Sequence, residues 1–265
     1  MKAKKLSLAI TLLSLICLSA CSMTSTNNKS NNTSTTSSSK KAKSSIKTVE
    51  ELLDKADTAN DKVSSVQIDM ELTTYINSNK ATKNQKMHGL CFYDGYELAK
   101  GKVSLEEKQD NEITYEGILM TGDKDHSVYG EDGENGKWIQ TGSGGEYYIE
   151  PDYFKLLNAI QEMSDDLKLT EEGDDYVLTL KNQDIDVMGL IGEQYNLSLT
   201  GITQDQLKKK FEIHFDKENY FLKDFSFSLK HQSTKGKLNI EVDTKYSKWN
   251  KLDEKEVDSA LTEAG

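Results

Sequence analysis

Cys21 is the residue with the clearest chemistry. It closes the run Leu18-Ser19-Ala20-Cys21, in which a branched apolar residue and two small residues precede a thiol. Small side chains there let a signal peptidase reach the backbone, and only cysteine offers a thiolate for a thioether to diacylglycerol. Upstream lie a basic start, Met1 to Lys5, and an apolar run, Leu6 to Leu18, too short to span roughly 30 Å of hydrocarbon. The order reads as an export signal with a lipobox over residues 1–20 and a lipid attachment site at Cys21. The alternative is an ordinary secreted chain with a chance cysteine behind the signal. Each buried CH₂ of an acyl chain contributes about 0.8 kcal/mol, so two or three chains anchor a protein without a transmembrane helix. The expected location is the outer, extracytoplasmic face of the cell membrane.

The other candidate chemistries have less behind them. The chain has three cysteines; Cys17 leaves with the signal and Cys21 is modified, so Cys91 remains alone and no internal disulfide is expected. Cys91 sits between Leu90 and Phe92 and reads as a small buried hydrophobe rather than a nucleophile. His88, His126, His214 and His231 are not spaced as a helical metal pair and flank no CxxC. Asp123, Asp125, Glu131, Asp132 and Glu134 crowd a glycine-rich stretch without the register of a calcium loop, and read as a solvated hairpin. Gly142-Ser143-Gly144-Gly145 lacks the Lys-Ser/Thr of a phosphate loop and reads as a turn. No nucleophile elbow, paired-carboxylate motif or Cys/His dyad is present. No catalytic residue, metal or cofactor is therefore assigned, and the expectation is a protein that is not an enzyme.

Charge narrows the partners. The 265 residues hold 33 lysines and no arginine against 44 acids, a net charge of −11. That balance offers no footprint for nucleic acid. Residues 21–45, from the lipidated cysteine through a Ser/Thr/Asn/Lys tract, form a flexible tether that carries Lys29, Lys40, Lys41 and Lys43 and no acid. Seven of the lysines lie in residues 1–45, so residues 46–265 hold 26 lysines against all 44 acids and a charge of −18. A basic tether can lie along an anionic lipid surface while an acidic domain is held off it. A solvated linker made of the usual polar residues explains the same composition.

The elements that would position any site come from periodicity. Val49, Leu52, Leu53, Ala56, Ala59 and Val63 recur at helical spacing, with Thr48 as N-cap and Glu51 completing a capping box. From Val66 to Ile76 apolar and polar residues alternate, a strand with one buried face. Further strands are expected over Lys86–Leu98, Ile113–Gly122, Ser127–Gly130 and Trp138–Thr141. A short helix follows Pro151, with Tyr153, Phe154, Leu157, Ile160 and Met163 as its stripe. After a strand at Tyr176–Leu180, residues 184–195 are apolar but interrupted by Gly189 and Gly192, each costing a helix about 1 kcal/mol relative to alanine. Three strands close the chain, Leu207–Phe215, Tyr220–Leu229 and Lys237–Tyr246, before a last short helix over 253–263.

This layout resembles a known group. The lipobox, the tether, a helix ending in Asp61-Lys-Val-Ser-Ser-Val66 before an alternating strand, the Gly136-Lys137-Trp138 step and the hairpin Asp216-Lys-Glu-Asn-Tyr-Phe-Leu-Lys223 resemble small lipoproteins of low-GC Gram-positive bacteria. Those are similar in architecture to the LolA and LppX lipid-handling carriers. The resemblance covers residues 46 to about 250. It implies one α+β domain over 46–265: a strongly curved antiparallel sheet, an incomplete barrel, with helices covering its concave face and an apolar cavity between. Relatives hold lipid or acyl chains there, but no ligand residue is common to the group.

Candidate cavity residues come from the apolar stripes, Leu157, Ile160 and Met163 on one segment and Met188, Leu190 and Ile191 on the other. Methionine adapts to irregular apolar ligands, and Gly189 and Gly192 would let the second segment open as a lid. The competing reading makes both stripes plain core. Two functions follow: a surface-tethered binder of an apolar molecule such as a lipid, acyl chain or lipopeptide, or an acidic module, immunity-like, that meets a cationic peptide or protein partner.

Overall fold

The computed structural model describes residues 46–122, 127–132, 137–142 and 149–264. Cys21, the tether, Asp123, Asp125, His126, Glu134 and most of the glycine run 142–145 lie outside these residues. Among the described residues no helix is long and apolar enough to cross a membrane.

Helix α1 (Val49–Asn60) begins where its cap predicts. Thr48 Oγ1 accepts from Glu51 N–H at 3.1 Å, while the Glu51 carboxylate reaches back to Lys47 N–H at 3.0 Å rather than to Thr48. Its apolar stripe buries Val49, Leu52, Leu53 and Ala56. The chain then enters a meander: β1 (Ser65–Ile76), β2 (Lys83–Asp94), β3 (Glu97–Gln109), β4 (Glu112–Gly122), β5 (Ser127–Asp132) and β6 (Lys137–Gly142). The single strand expected over Lys86–Leu98 is corrected to two, joined by a tight turn at Gly95, whose φ of 63° suits glycine. Strand β3 escaped notice because its inward positions include Gly101 and Glu107, which break the apolar alternation.

The second half supplies α2 (Tyr153–Glu162), β7 (Leu167–Glu172), β8 (Asp175–Leu180), α3 (Val187–Ile191), β9 (Lys208–Asp216), β10 (Leu222–Ser233), β11 (Gly236–Ser247) and α4 (Lys255–Ala264). Asp152, after the cis Glu150–Pro151 peptide, caps α2 by accepting from Lys155 N–H at 2.9 Å. Strand β7 was also unforeseen; it is an edge strand with charged, exposed positions at Lys168, Glu171 and Glu172, a composition that discourages pairing with other chains.

Every strand pair is antiparallel, in the order β6-β5-β4-β3-β2-β1-β11-β10-β9-β8-β7. Two meanders thus join through the long β1–β11 ladder into one open sheet that does not close into a barrel. Irregularities at Phe92/Tyr93, Glu107/Lys108 and Leu222/Asp224 bend the strands. The sheet curls: α1 leads directly into β1, yet it packs against β7, five strands away.

Candidate functional site

Because paired residues in an antiparallel ladder share a face, the registers assign both faces of the sheet. One row runs Gly117–Leu105–Met87–Met70–Thr244–Phe225–Ile213–Leu178–Leu169 from β4 to β7. The next runs Tyr115–Glu107–Gln85–Leu72–Val242–Phe227–Phe211. These rows belong to the face that α1, α2 and α3 cover.

The two halves of this inner face differ. On β9–β11 it is aromatic and closed. Tyr195, in the turn after α3, stacks on Phe225 with centroids 6.2 Å apart and meets Phe227 edge-on at 5.0 Å. Its hydroxyl bonds Thr244 Oγ1 at 2.9 Å, both groups fully enclosed. On β1–β4 the same rows carry Met70, Met87, Leu105 and Gly117. Met87 is buried, Met70 and Leu105 are only partly covered, and Tyr115 at the end of the next row is 47% exposed.

The predicted stripe residues divide in the same manner. Ile160, Met163 and Ile191 are fully buried in the core, and Leu157, Met188 and Leu190 are partly buried and packed against it. Helix α3 is a single short turn of structure, capped by Asp186 Oδ1 accepting from Gly189 N–H at 3.1 Å. A buried lysine holds the segment before it: Lys209 Nζ donates to the carbonyls of Gln183 at 2.6 Å and Ile185 at 2.9 Å. The amide of Gln183 returns two bonds to the Lys209 backbone. Residues 183–195 are thus bonded to the sheet at both ends.

A polar cluster ties α2 to the sheet. Asp152 accepts from the Tyr93 hydroxyl at 3.1 Å, and its N–H donates to Gln194 Oε1 at 3.0 Å. Burial raises the Asp152 carboxyl above the usual range, against the lowering effect of the bonds from Lys155 N–H and Tyr93. Tyr153 donates to Asn60 at 2.5 Å, and Asn60 in turn bonds the backbone carbonyls of Ala56 and Tyr220. Cys91 lies in this region, fully buried, with its thiol pushed far up by burial and then by Asp152, so it carries no thiolate.

Two hollows lie on the other face of the sheet. One, of about 710 Å³, crosses β11, β1, β2, β3 and β4 and is lined by Asp69, Glu71, Glu106, Glu116 and Asp243 against Lys86, Lys245 and His88. His88 Nδ1 lies 2.6 Å from Asp69 Oδ1, and Lys86 Nζ 3.8 Å from Glu71. None of the six stripe residues lines it. Helix α4 bounds this face by burying Val257 against Leu90 and Phe92, with Lys100 bridging to Glu254 and Asp258. Sequence reasoning missed the groove; its signal was the alternation of charged residues on consecutive strands, which reads as solvated surface until the registers align them. Among the described residues no group of His, Cys, Asp and Glu is arranged to hold a metal ion.

The model of a family of unknown function, DUF6612, matches residues 48–263. No curated protein matches the chain. Among solved structures it is similar to LprF from Mycobacterium bovis, with 13% identity over 77% of this chain and 94% of that one and a TM-score of 0.44. It is also similar to the lipoprotein LppX from Mycobacterium tuberculosis, with 12% identity over 77% and 96% and a TM-score of 0.39. A LolA superfamily protein from Nitrosomonas europaea shows 11% identity over 76% and 92%, with a TM-score of 0.26.

Proposed function

The chain belongs to the DUF6612 family, and on that footing we propose that it is a lipid-anchored extracytoplasmic lipoprotein that holds an apolar ligand, a lipid, acyl chain or lipopeptide, on the inner face of its sheet. One observation carries this reading. The apolar inner surface of β1–β4 continues the core but is only partly covered at Met70 and Leu105, beside the buried Met87 and Gly117, whereas the β9–β11 half is filled by phenylalanines and Tyr195. Flexible thioethers beside a glycine form a surface that adapts to an acyl chain, and a soluble domain leaves such a surface open for a reason. The lipobox ending in Cys21 supplies the anchor. No catalytic group is needed, because the task is to bind and release.

The test is to purify the Cys21→Ser chain natively, extract it with organic solvent and run lipid mass spectrometry against a mock purification. A stoichiometric lipid is expected, lost in Leu105→Glu. A blank that persists after incubation with host lipids overturns the reading. A second reading is favoured by the outer groove, where five carboxylates face two lysines and a histidine: a cationic peptide docks there, with affinity that falls steeply as salt rises. Membrane retention of the Cys21→Ser chain, fully processed, removes the anchor from either reading.

A further inference from the structure

The second hollow, of about 580 Å³, has the opposite charge from the first. It lies at the far end of the outer face, where the registers align Tyr75, Asn239, Lys230 and Lys208 across four strands. Lys237, opposite Gln232, closes it. It continues, through Lys230 and Glu241, into a smaller trough of about 360 Å³ floored by Ser226 and Ser228 and flanked by Lys210 and Glu212. The shape has a simple cause: two serines on β10 leave a channel between long side chains on β9 and β11. Glu241 is the acid that lines both, 3.9 Å from Lys230 and bonded to the Asn239 amide at 2.8 Å, and Lys210 pairs with Glu212 at 3.0 Å. Lys208 and Lys237 are exposed and belong to no ion pair among the described residues. In a domain of net charge −18, two free ammonium groups beside amide donors form a local exception.

The trough also has a defined place relative to the point where the chain enters the domain. Helix α1 packs against β7 and ends at Asn60, which bonds the carbonyl of Tyr220 at the opposite end of β10 from Lys230, so its first turn lies toward the Lys230 end, where Gln183 is bonded both ways to the Lys209 backbone. The start of the folded domain and the lysine trough therefore share one end of the molecule. The residues that precede it in sequence lead back to the lipobox cysteine.

We propose that Lys208, Lys230 and Lys237 form a docking surface for the phosphate headgroups of the anionic bilayer to which the chain is tethered. The inference rests on the reading of Cys21 as an anchor, which sets the bilayer as the nearest polyanion. Ammonium groups meet phosphates as point charges, and the neighbouring Asn239 and Gln232 amides donate to the remaining oxygens. Docking by this end orients the sheet on the membrane, with the acidic groove on the same face but farther along the strands from the bilayer.

The experiment uses the polypeptide from Ser22 to Gly265, so that an acyl group cannot itself carry it to the bilayer, and co-sedimentation with phosphatidylcholine vesicles with and without phosphatidylglycerol. Binding is expected only with phosphatidylglycerol and is expected to weaken steeply with salt. At about fivefold per lysine, Lys208→Glu with Lys230→Glu and Lys237→Glu weakens it by about a hundredfold or more. The corresponding glutamine variants weaken it less and keep the melting temperature, and Lys86→Glu with Lys245→Glu, in the other groove, leaves it unchanged. Equal binding by the triple variant, or an equal loss in the Lys86/Lys245 variant, overturns the proposal. So does loss of inorganic phosphate binding with vesicle binding intact, which reassigns the trough to a soluble anion. Failure of the anchor itself is read separately, from fractionation of the Cys21→Ser chain.

Discussion

Tyr195 tests whether the segment around α3 is part of the cooperative core. Its ring is buried between Phe225 and Phe227, and its hydroxyl is the partner of Thr244 Oγ1 at 2.9 Å. Tyr195→Phe keeps the ring and removes only the bond, which leaves the enclosed Thr244 hydroxyl without this partner. A buried polar group stranded in this manner costs about 1–3 kcal/mol. Tyr195→Ala removes the ring as well, and truncating a buried aromatic residue costs about 3–5 kcal/mol. The two variants should therefore lose stability in that order, measured by urea unfolding with an unchanged slope against denaturant. Hydrogen exchange should follow, with residues 187–195 losing protection together with β10 and β11. A Tyr195→Ala chain within about 1 kcal/mol of the wild type would refute the reasoning and make the segment a cover that opens independently of the core.

Two further outcomes follow from burial. Desolvation raises the carboxyls of Asp152, Glu150 and Asp224. For an acid whose folded pKa lies above its unfolded one, the folded state holds the extra proton between the two values, so stability is gained as pH falls through the folded value and lost again as pH rises. Asp152→Asn, which keeps an acceptor for Lys155 N–H, should flatten that rise in urea titrations run downward in pH to the ordinary carboxylate range; an unchanged profile would place the dependence elsewhere. Cys91 should resist iodoacetamide in the native protein and react once urea has unfolded it, and fast native labelling would show that the core beneath α2 opens readily.

Element types were largely legible because helix and strand periods differ so plainly. Thr48 and Glu51 marked α1, and the alternation through Val66–Ile76 and Lys237–Tyr246 marked the two strands that join the meanders. The strands without a legible alternation are β3, with Gly101 and Glu107 at inward positions, and β7, with charged, exposed Lys168, Glu171 and Glu172. Composition along the chain likewise determined the lysines without acids over residues 21–45 and the acidity of residues 46–265, and local order alone carries the expectation of a lipobox.

The faces were decided only by the tertiary structure. Leu157, Ile160, Met163, Met188, Leu190 and Ile191 share a hydrophobic pattern, yet three are sealed in the core and three lie at its margin. Helical spacing says which residues turn inward together and nothing about how much of the opposing sheet they fill. The outer grooves are the converse case. Asp69, His88, Lys230 and Lys208 are scattered in sequence, and each reads as solvated surface by itself. The β1–β11 ladder and its neighbours set their registers, and register alone separates a carboxylate-lined groove from a lysine-lined one on a single face.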